Sequence, residues 1–440
     1  MSTATIFVRK AAVPAEHKRN FWHLYLDIMW FGVLSGSAVA FSAVFATRQG
    51  ANSFQIGLLS AAPAIVTLFI ALPAGQLLQR YPVNRGVFWT SVAHRLFYGV
   101  WVFLPAMLLP SQQVWVLITV TFLMSIPGTA LAIGFNGLFA ASVPPEWRPH
   151  VAGTRNALYA LSSIVVSFAV GWLLQNLPFV TGYQVVFAIG FVGAMMSSVH
   201  LWFIRPLQQD TPPPASIRQR VEDWAQPGSQ RTWAGLRQTI GLRGLARGRG
   251  VGQILQLGVV SGRFRHVLLL LFSFHLAQFI VIPVFPLYTV KTLGLSDQFL
   301  SWGNMVFYIA LFLGSTQLAR VSRWWGNHQT LAIGVVLMSL YPFTLALVTP
   351  QNTGLYFLVS VIGGLAWTLA GGATANYLLD QIPDDNRAPY LAWYNLALHA
   401  AVLGGSLIGP AIGENVGLRE ALYVGTALRF ISGLLLWRWG

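Results

Sequence analysis

The sequence predicts an all-α, polytopic membrane protein whose twelve transmembrane helices form two six-helix bundles. Three observations support this fold class: the composition, the number of long apolar segments, and a charged turn that occurs twice. Of the 440 residues, 55% are hydrophobic and only 9% are charged. A soluble domain carries about 25% charged residues. This chain therefore has too few charges to cover a surface in water, and lipid must surround most of it.

The apolar segments set the number of transmembrane helices. A helix that crosses a bilayer needs about 20 mostly apolar residues, and twelve segments meet this requirement. They are 21–46, 55–78, 87–109, 113–142, 151–175, 183–204, 266–290, 297–319, 328–349, 354–379, 388–412 and 420–438. We therefore expect a first bundle over 1–204, a basic linker over 205–265 and a second bundle over 266–440.

The charged turn that occurs twice indicates that the two bundles are related. Proline, acid, arginine and asparagine recur at a constant spacing of 239 residues, and each copy connects two apolar segments. The matched residues are Pro144 with Pro383, Glu146 with Asp385, Arg148 with Arg387 and Asn156 with Asn395. At a spacing of 243 residues, Gln55 matches Gln298 and Arg80 matches Arg323. These correspondences favour an internal duplication.

Basic residues in the loops predict the orientation, because cytoplasmic loops are enriched in Lys and Arg. With the N-terminus inside, 22 of the 27 Lys and Arg residues lie in inside segments. Outside loops contain only Arg48, Lys291 and Arg419, while Arg95 and Arg429 lie within predicted helices. We therefore expect a multi-pass protein of the cell membrane with both termini in the cytoplasm.

The linker 205–265 contains ten of the arginines, and the whole chain has a formal net charge of +15. Nucleic acid is not an expected partner, because the basic residues lie in loops between apolar segments and not on a soluble face. Trp233, Leu236 and Ile240 recur at helical spacing among arginines, which favours a surface helix that binds anionic lipid. The glycines of the same stretch favour the alternative, a flexible basic linker.

The residues present exclude several kinds of catalytic and cofactor site. The absence of cysteine excludes disulfides and thiolate metal sites. No G-x-x-x-x-G-K-[ST] phosphate loop occurs, so ATP is not expected to drive the protein directly. The nine histidines show neither H-E-x-x-H nor paired metal-ligand spacing. We therefore expect no enzyme activity, no metal and no cofactor.

The chain resembles the major facilitator superfamily in its architecture. The shared features are twelve helices split six and six, a basic central linker and two related halves. The signature turn of that family has the form G-x-x-x-D-R-x-G-R-K. Gly75 and Arg80 match it, whereas Gln79 takes the Asp position and Pro82 the second Gly position; the second half has Ser322 in place of the Asp. The family Asp helps to lock the inner gate, so its absence argues against the usual locking pair. The resemblance implies a transporter whose halves rock about a central site.

Small residues and prolines predict local features of two helices. Gly405-x-x-x-Gly409-Pro410 resembles the glycine–proline motif of family antiporters, but that motif belongs to the fifth helix. We therefore interpret these glycines as close helix packing. Pro283 and Pro286 should interrupt the seventh helix near its outer end, because proline removes a backbone donor.

Charges at membrane depth cost about 2.5–3.5 kcal/mol each on insertion scales, so each is a functional candidate. Asp27 and Arg95 lie at similar depths in the first and third segments, roughly 10–14 Å from the cytoplasmic side. We interpret them as a candidate coupling pair, with Asp27 as the proton-coupling carboxylate or part of an inner gate. Alternatively, Asp27 lies among lipid headgroups and Arg95 extends to phosphate. The family places the twelfth helix at the periphery, which implies a structural or lipid-facing Arg429.

Neutral polar residues within the helices are candidate substrate-binding groups. They are Asn136, His275, Gln278, Asn376, Asn395 and His399. The resemblance implies that their helices line a central cavity, where such groups would favour a neutral or amphipathic substrate. The alternative is hydrogen bonding between helices, worth about 0.6 kcal/mol per contact.

The charged turns are a candidate gate at the cytoplasmic mouth. The gate candidates are Arg80, Arg85, Glu146, Arg148, Arg323, Asp384, Asp385 and Arg387. Opposite charges on the two halves can pair when the mouth is shut and separate when it opens. An exposed pair is worth only about 0–1 kcal/mol, which suits a gate biased by a few kcal/mol. The alternative is a solvated loop that only follows the charge rule for cytoplasmic loops.

The leading functional hypothesis is a secondary transporter that works by alternating access and exports an amphipathic or neutral organic compound in exchange for protons. The first alternative is uptake of a neutral solute such as a sugar or metabolite. The second is a transport-inactive membrane scaffold or sensor. The expected partners are a small-molecule substrate, protons as the coupling ion and anionic lipid at the linker.

Overall fold

The computed structural model describes residues 15–207, 257–383 and 387–440, and these residues form helices and short connections with no strand. The predicted all-helical membrane fold is confirmed. The predicted surface helix of the linker, around Trp233 and Ile240, lies outside the described residues.

Six long helices form the first half of the molecule. The first is Ala15–Leu34, which continues through a π turn, Ser35–Val39, into Ala40–Arg48. The other five are Ser53–Gln79, Val83–Met107, Pro110–Ser142, Arg148–Asn176 and Phe179–Trp202. A capping box starts the second helix, because the side chains of Asn52 and Gln55 each accept a hydrogen bond from the other's backbone N–H.

The second half begins after a short helix, Leu257–Ser261. Its seventh helix runs over Phe264–Val281, breaks at Pro283, and resumes as Val284–Leu287 and a π turn, Tyr288–Thr292. The predicted interruption is therefore confirmed at Pro283, whereas Pro286 lies within the resumed helix. The remaining helical stretches are Asp297–Ala346, Leu355–Asp380, Arg387–Asn415 and Leu418–Trp439.

The stretch Asp297–Ala346 contains two helices, the eighth and the ninth. Gly326 divides them with a φ of 76°, a backbone conformation that glycine adopts without steric cost. In the described part of the chain, eleven helical stretches are long and apolar enough to cross a membrane. The division at Gly326 brings the number of spans to twelve, as the sequence predicts.

The two halves pack their helices in the same pattern. The first helix packs on the fifth and sixth, just as the seventh packs on the eleventh and twelfth. The halves meet where the second helix packs on the eleventh and where the fifth packs on the eighth. Because the number of spans is even, both termini lie at one end of the bundle, here called the terminal end. The opposite end is called the far end.

Glycines bring the seventh and eleventh helices into backbone contact. A Cβ at Gly405 would lie 2.7 Å from the carbonyl oxygen of Leu276, and one at Gly409 would overlap the carbonyl of Ile280. The predicted close packing by this motif is therefore confirmed.

Replacing Gly409 with alanine should destabilise the protein, because the added methyl group overlaps the backbone of the seventh helix. Overpacking of this kind typically costs about 1–3 kcal/mol. Gly404→Ala is the matched control, since its Cβ would lie 3.4 Å from the Leu276 side chain, an ordinary contact. Thermal unfolding in detergent should show a lower midpoint for Gly409→Ala than for the control. Equal midpoints would contradict the packing role.

Candidate functional site

A cavity of about 440 Å³ lies between the two halves. The first half contributes Phe31, Ser35, Val39, Ala40 and Tyr159 to its wall. The second half contributes residues of its seventh, eighth, ninth, tenth and twelfth helices. Because both halves supply the wall, a rocking motion of one half against the other changes the access to this cavity.

Aromatic rings form much of the cavity wall. The hydroxyl groups of Tyr159 and Tyr308 lie 3.3 Å apart across the boundary between the halves, and their rings meet edge to face with centroids 5.8 Å apart. Phe307, Tyr341 and Trp367 continue the wall in the second half. Such a wall is apolar but carries hydroxyl and indole groups, so it suits an amphipathic ligand.

The π turn Ser35–Val39 brings the first helix to the cavity, where Ser35 and Val39 are part of the wall. Gly36, within this turn, lets the first helix approach the fifth closely: its Cβ would lie 3.1 Å from the carbonyl oxygen of Ser163. A π turn inside a helix is rare and often marks a functional site. The close packing fixes the first and fifth helices, which both line the cavity, relative to each other.

The cavity wall also contains hydrogen-bonding side chains. Ser35, Gln278, Asn304 and Ser360 are among them. The amide nitrogen of Asn304 donates to the hydroxyl of Ser167 at 3.0 Å, which fixes the orientation of that side chain across the boundary between the halves. Of the wall residues in the described part of the chain, Arg429 is the one with a formal charge.

Arg429 is only 2% exposed, so the structure excludes the lipid-facing alternative for this residue. Its Nη1 donates to the carbonyl of Met338 and its Nη2 to the carbonyl of Gln278, both at 3.0 Å. Pro342 has no N–H for the Met338 carbonyl four residues before it. Gln278 lies in the last turn before the break at Pro283. The guanidinium therefore binds the carbonyl that Pro342 frees and a second carbonyl close to the break in the seventh helix.

Polar contacts join the two halves at the far end of the bundle. Arg48 Nε lies 3.0 Å from Asp297 Oδ1, and the Tyr183 hydroxyl donates to Asp297 Oδ2 at 3.0 Å. Lys291 Nζ donates to the carbonyl of Ala51 at 2.6 Å. These four side chains, Arg48, Tyr183, Lys291 and Asp297, are called the far-end latch. Measured along the helices at 1.5 Å per residue, the cavity wall begins roughly 9–12 Å from Arg48 and Asp297.

The predicted pair, Asp27 and Arg95, lies in the interior of the first half together with a second arginine. Both side chains are fully buried, and Arg95 Nη2 is 4.0 Å from Asp27 Oδ1. Arg155 is closer, with both terminal nitrogens 3.4 Å from Asp27 Oδ2. The Ser197 hydroxyl also donates to the carboxylate. Asp27 thus lies between two guanidinium groups, whose attraction offsets the cost of its burial.

Further contacts extend this charged network to five of the six helices of the first half. Arg95 Nη1 donates to Ser198 Oγ at 2.8 Å, and the guanidinium of Arg155 lies 5.0 Å from the centroid of the Phe135 ring. The sequence analysis missed Arg155 because it counted this residue, near the start of segment 151–175, among the basic residues of the cytoplasmic segments. The fifth helix begins earlier, at Arg148, and therefore places Arg155 two turns inside.

Of the six polar cavity candidates, Gln278 lines the cavity described above. His275 Nε2 lies 3.0 Å from the hydroxyl of Tyr394. Asn395 donates to a carbonyl of its own helix one turn earlier, at 2.7 Å. Of the other three candidates, His399 is buried, whereas Asn136 and Asn376 are partly exposed. The role of all six in substrate binding stays a prediction.

The gate candidates that the structure describes lie at the terminal end. The exposed ones are Arg80, Arg85, Glu146 and Arg323. Arg148 is buried and donates to the carbonyls of Val143 at 3.1 Å and Ala140 at 2.8 Å, so it caps the fourth helix. Asp384, Asp385 and the side chain of Arg387 lie outside the described residues. A gate at this end stays a prediction.

Two related helical halves that share a cavity within a membrane-spanning bundle define a transport protein of the carrier class, not an enzyme. The chain belongs to the Major Facilitator Superfamily, because the model of that family matches residues 28–263 and 267–440. It is a multi-pass membrane protein and a secondary transporter of small organic molecules.

Comparisons with individual proteins agree with this assignment. The chain is 25% identical over 318 residues to a "Cis,cis-muconate transport protein" of Acinetobacter baylyi, which covers 71% of this chain and 69% of that protein. It resembles the crystal structure of a D-xylose-proton symporter with a TM-score of 0.68 at 15% identity, over 96% of this chain and 97% of the other. It also resembles the human organic anion transporter MFSD10, with a TM-score of 0.62 at 11% identity, over 96% and 100% of the two chains. The structural matches support the fold.

Loss of the Asp297 carboxylate should open the far end more often. Asp297→Asn removes the charge that binds Arg48, and a partly buried pair of about 1 kcal/mol corresponds to roughly a fivefold change in population. The chain has no cysteine, so Ser360→Cys provides a single label site in the cavity wall. An impermeant maleimide added from the far side should label Ser360→Cys several-fold faster in the Asp297→Asn background. Glu420→Gln, an exposed far-end change, should leave the rate unaltered; equal rates in both backgrounds would refute the latch.

Loss of the Asp27 carboxylate should destabilise the first half, since Asp27→Asn leaves the guanidinium groups of Arg95 and Arg155 buried without their anion. Breaking a buried ion pair typically costs about 3–5 kcal/mol. Ser197→Ala removes one hydrogen bond to the same carboxylate and should cost less, about 1.5–3 kcal/mol. Thermal unfolding in detergent should therefore rank wild type above Ser197→Ala and Ser197→Ala above Asp27→Asn. An Asp27→Asn protein as stable as wild type would show that the network does not depend on this charge.

Proposed function

We propose that this transporter carries a small amphipathic organic compound across the cell membrane by alternating access, with the cavity between the halves as its binding site. The observation that carries the proposal is the composition of the cavity wall. Rings such as those of Tyr159, Tyr308 and Trp367 provide apolar contact, while Gln278 and Asn304 provide a few fixed hydrogen-bonding groups. Sites for small organic ligands typically combine these two features in a pocket of about 300–1,000 Å³.

The orientation follows from the distribution of basic residues, which favours cytoplasmic termini. The far end then faces outward, and the far-end latch holds the cavity shut on that side. In this proposal the latch breaks and the terminal end closes when the halves rock, so that the cavity faces each side of the membrane in turn.

Proton coupling belongs to the proposal because the D-xylose-proton symporter shares the fold. Asp27 remains the candidate carboxylate, although it lies between Arg95 and Arg155 and away from the described cavity wall. Coupling through Asp27 would therefore require a proton to enter the buried network of the first half. Export in exchange for protons stays the leading direction, with uptake of a neutral solute as the alternative.

Transport by sealed proteoliposomes tests the proposal. Flux of each of a panel of amphipathic organic compounds is measured together with the internal pH. Trp367→Ala should raise the KM of a transported compound about tenfold, because it removes an aromatic contact in the cavity. Trp172→Ala is the matched control, since Trp172 lies in the fifth helix and is 58% exposed on the outer surface of the bundle.

Each outcome of this experiment has a distinct meaning. Saturable flux that depends on Trp367 but not on Trp172 supports transport through the cavity. Internal pH changes that accompany this flux support proton coupling, and flux without them refutes it. The absence of flux for every compound would favour the transport-inactive scaffold or sensor.

A further inference from the structure

Arg429 gives the cavity a positive charge on the side of the second half. A guanidinium group stays protonated in proteins, and the two hydrogen bonds of Arg429 to carbonyl oxygens orient it without adding negative charge. The wall residues drawn from the described part of the chain include no Asp or Glu. Because a charge acts much more strongly in a poorly solvated cavity than in water, the site favours a ligand of opposite sign.

We propose that the substrate is an organic anion, which deepens and rests on the proposed function above. Its carboxylate binds at Arg429, and its planar apolar body packs against the aromatic wall. The sequence predicts a neutral or amphipathic substrate. The present proposal specifies an amphipathic compound with one anionic end.

The surroundings of Arg429 fit a carboxylate better than a diffuse anion. A guanidinium carries five N–H donors, of which Arg429 gives two to carbonyl oxygens, and its planar fork matches the two oxygens of a carboxylate. Gln278, whose backbone carbonyl accepts from Arg429, is also part of the cavity wall and carries a side-chain amide. The ring of Phe285 lies 5.9 Å from the guanidinium carbon, so an apolar surface begins next to the charge. One end of the ligand is therefore bound by polar groups and the remainder by rings.

The position of Arg429 makes a purely structural role the main alternative. Its hydrogen bonds join the seventh and ninth helices through Gln278 and Met338, and such a joint alone would stabilise the second half. The two roles differ in what they predict for ligand charge. A structural joint affects charged and neutral ligands alike, whereas an anion site discriminates between them.

Equilibrium binding to the purified full-length protein in detergent tests the anion site. The probes are the planar carboxylates sorbate, benzoate, 2-naphthoate and cis,cis-muconate, each compared with its uncharged amide. Wild type should bind at least one carboxylate about tenfold or more tightly than its amide, since charge-assisted hydrogen bonds are roughly twice as strong as neutral ones. Arg429→Gln should abolish this preference, so that each acid and its amide bind with similar affinity. Arg438→Gln, an exposed change in the same helix, should retain the preference.

Two further measurements keep the test decisive. Arg429→Lys preserves the charge and should retain a carboxylate preference, even if Arg429→Gln fails to fold. Carboxylate binding without flux in proteoliposomes would support the anion site and overturn the transport proposal. Flux that shows no preference for carboxylates would support the transport proposal and overturn the anion site. Equal affinity of wild type for every acid and its amide, or an equal loss of both in Arg429→Gln, would overturn the anion site.

Discussion

The first half of this transporter is built around one buried carboxylate. Asp27 lies between the guanidinium groups of Arg155 and Arg95, and Ser197 donates a third contact. A charge in this position is tolerated only while its partners stay in place, so the network holds the helices that carry these residues together. A rocking mechanism requires this cohesion, because a half that deforms cannot transmit motion from one end of the cavity to the other.

The second half holds its buried charge by a different chemistry. Arg429 binds two backbone carbonyls: that of Met338, which Pro342 frees, and that of Gln278, one turn before the break at Pro283. Carbonyl oxygens orient a guanidinium but do not neutralise it as a carboxylate would. The buried charges of Asp27, Arg95 and Arg155 therefore interact with one another inside the first half. The charge of Arg429 instead acts on the cavity that this residue lines. This asymmetry between two related halves gives the site a polarity that the duplicated fold alone does not provide.

The number of helices and their approximate positions could be predicted from the sequence because both depend on local composition and length. The proximity of Asp27 and Arg95 followed from depth alone. Arg155 was missed because helix ends are poorly determined by apolar content, and a start three residues too late placed it near a loop. The direction that Arg429 faces could not be derived, since apolar residues surround it on its helix and the family analogy pointed outward. Pro342 in the neighbouring ninth helix was a usable signal, because it frees the Met338 carbonyl, which requires a donor.

The distribution of basic residues explains why the latch was also missed. Cations at the terminal end are numerous for reasons of membrane insertion, so their presence there says little about contacts. Cations at the far end oppose that bias and need another cause. All three have one: Arg48 pairs with Asp297, Lys291 donates to Ala51, and Arg419 donates to the hydroxyl of Tyr288 at 3.1 Å. In a chain with strongly asymmetric charge, the few cations on the disfavoured side are therefore the better guide to a gate.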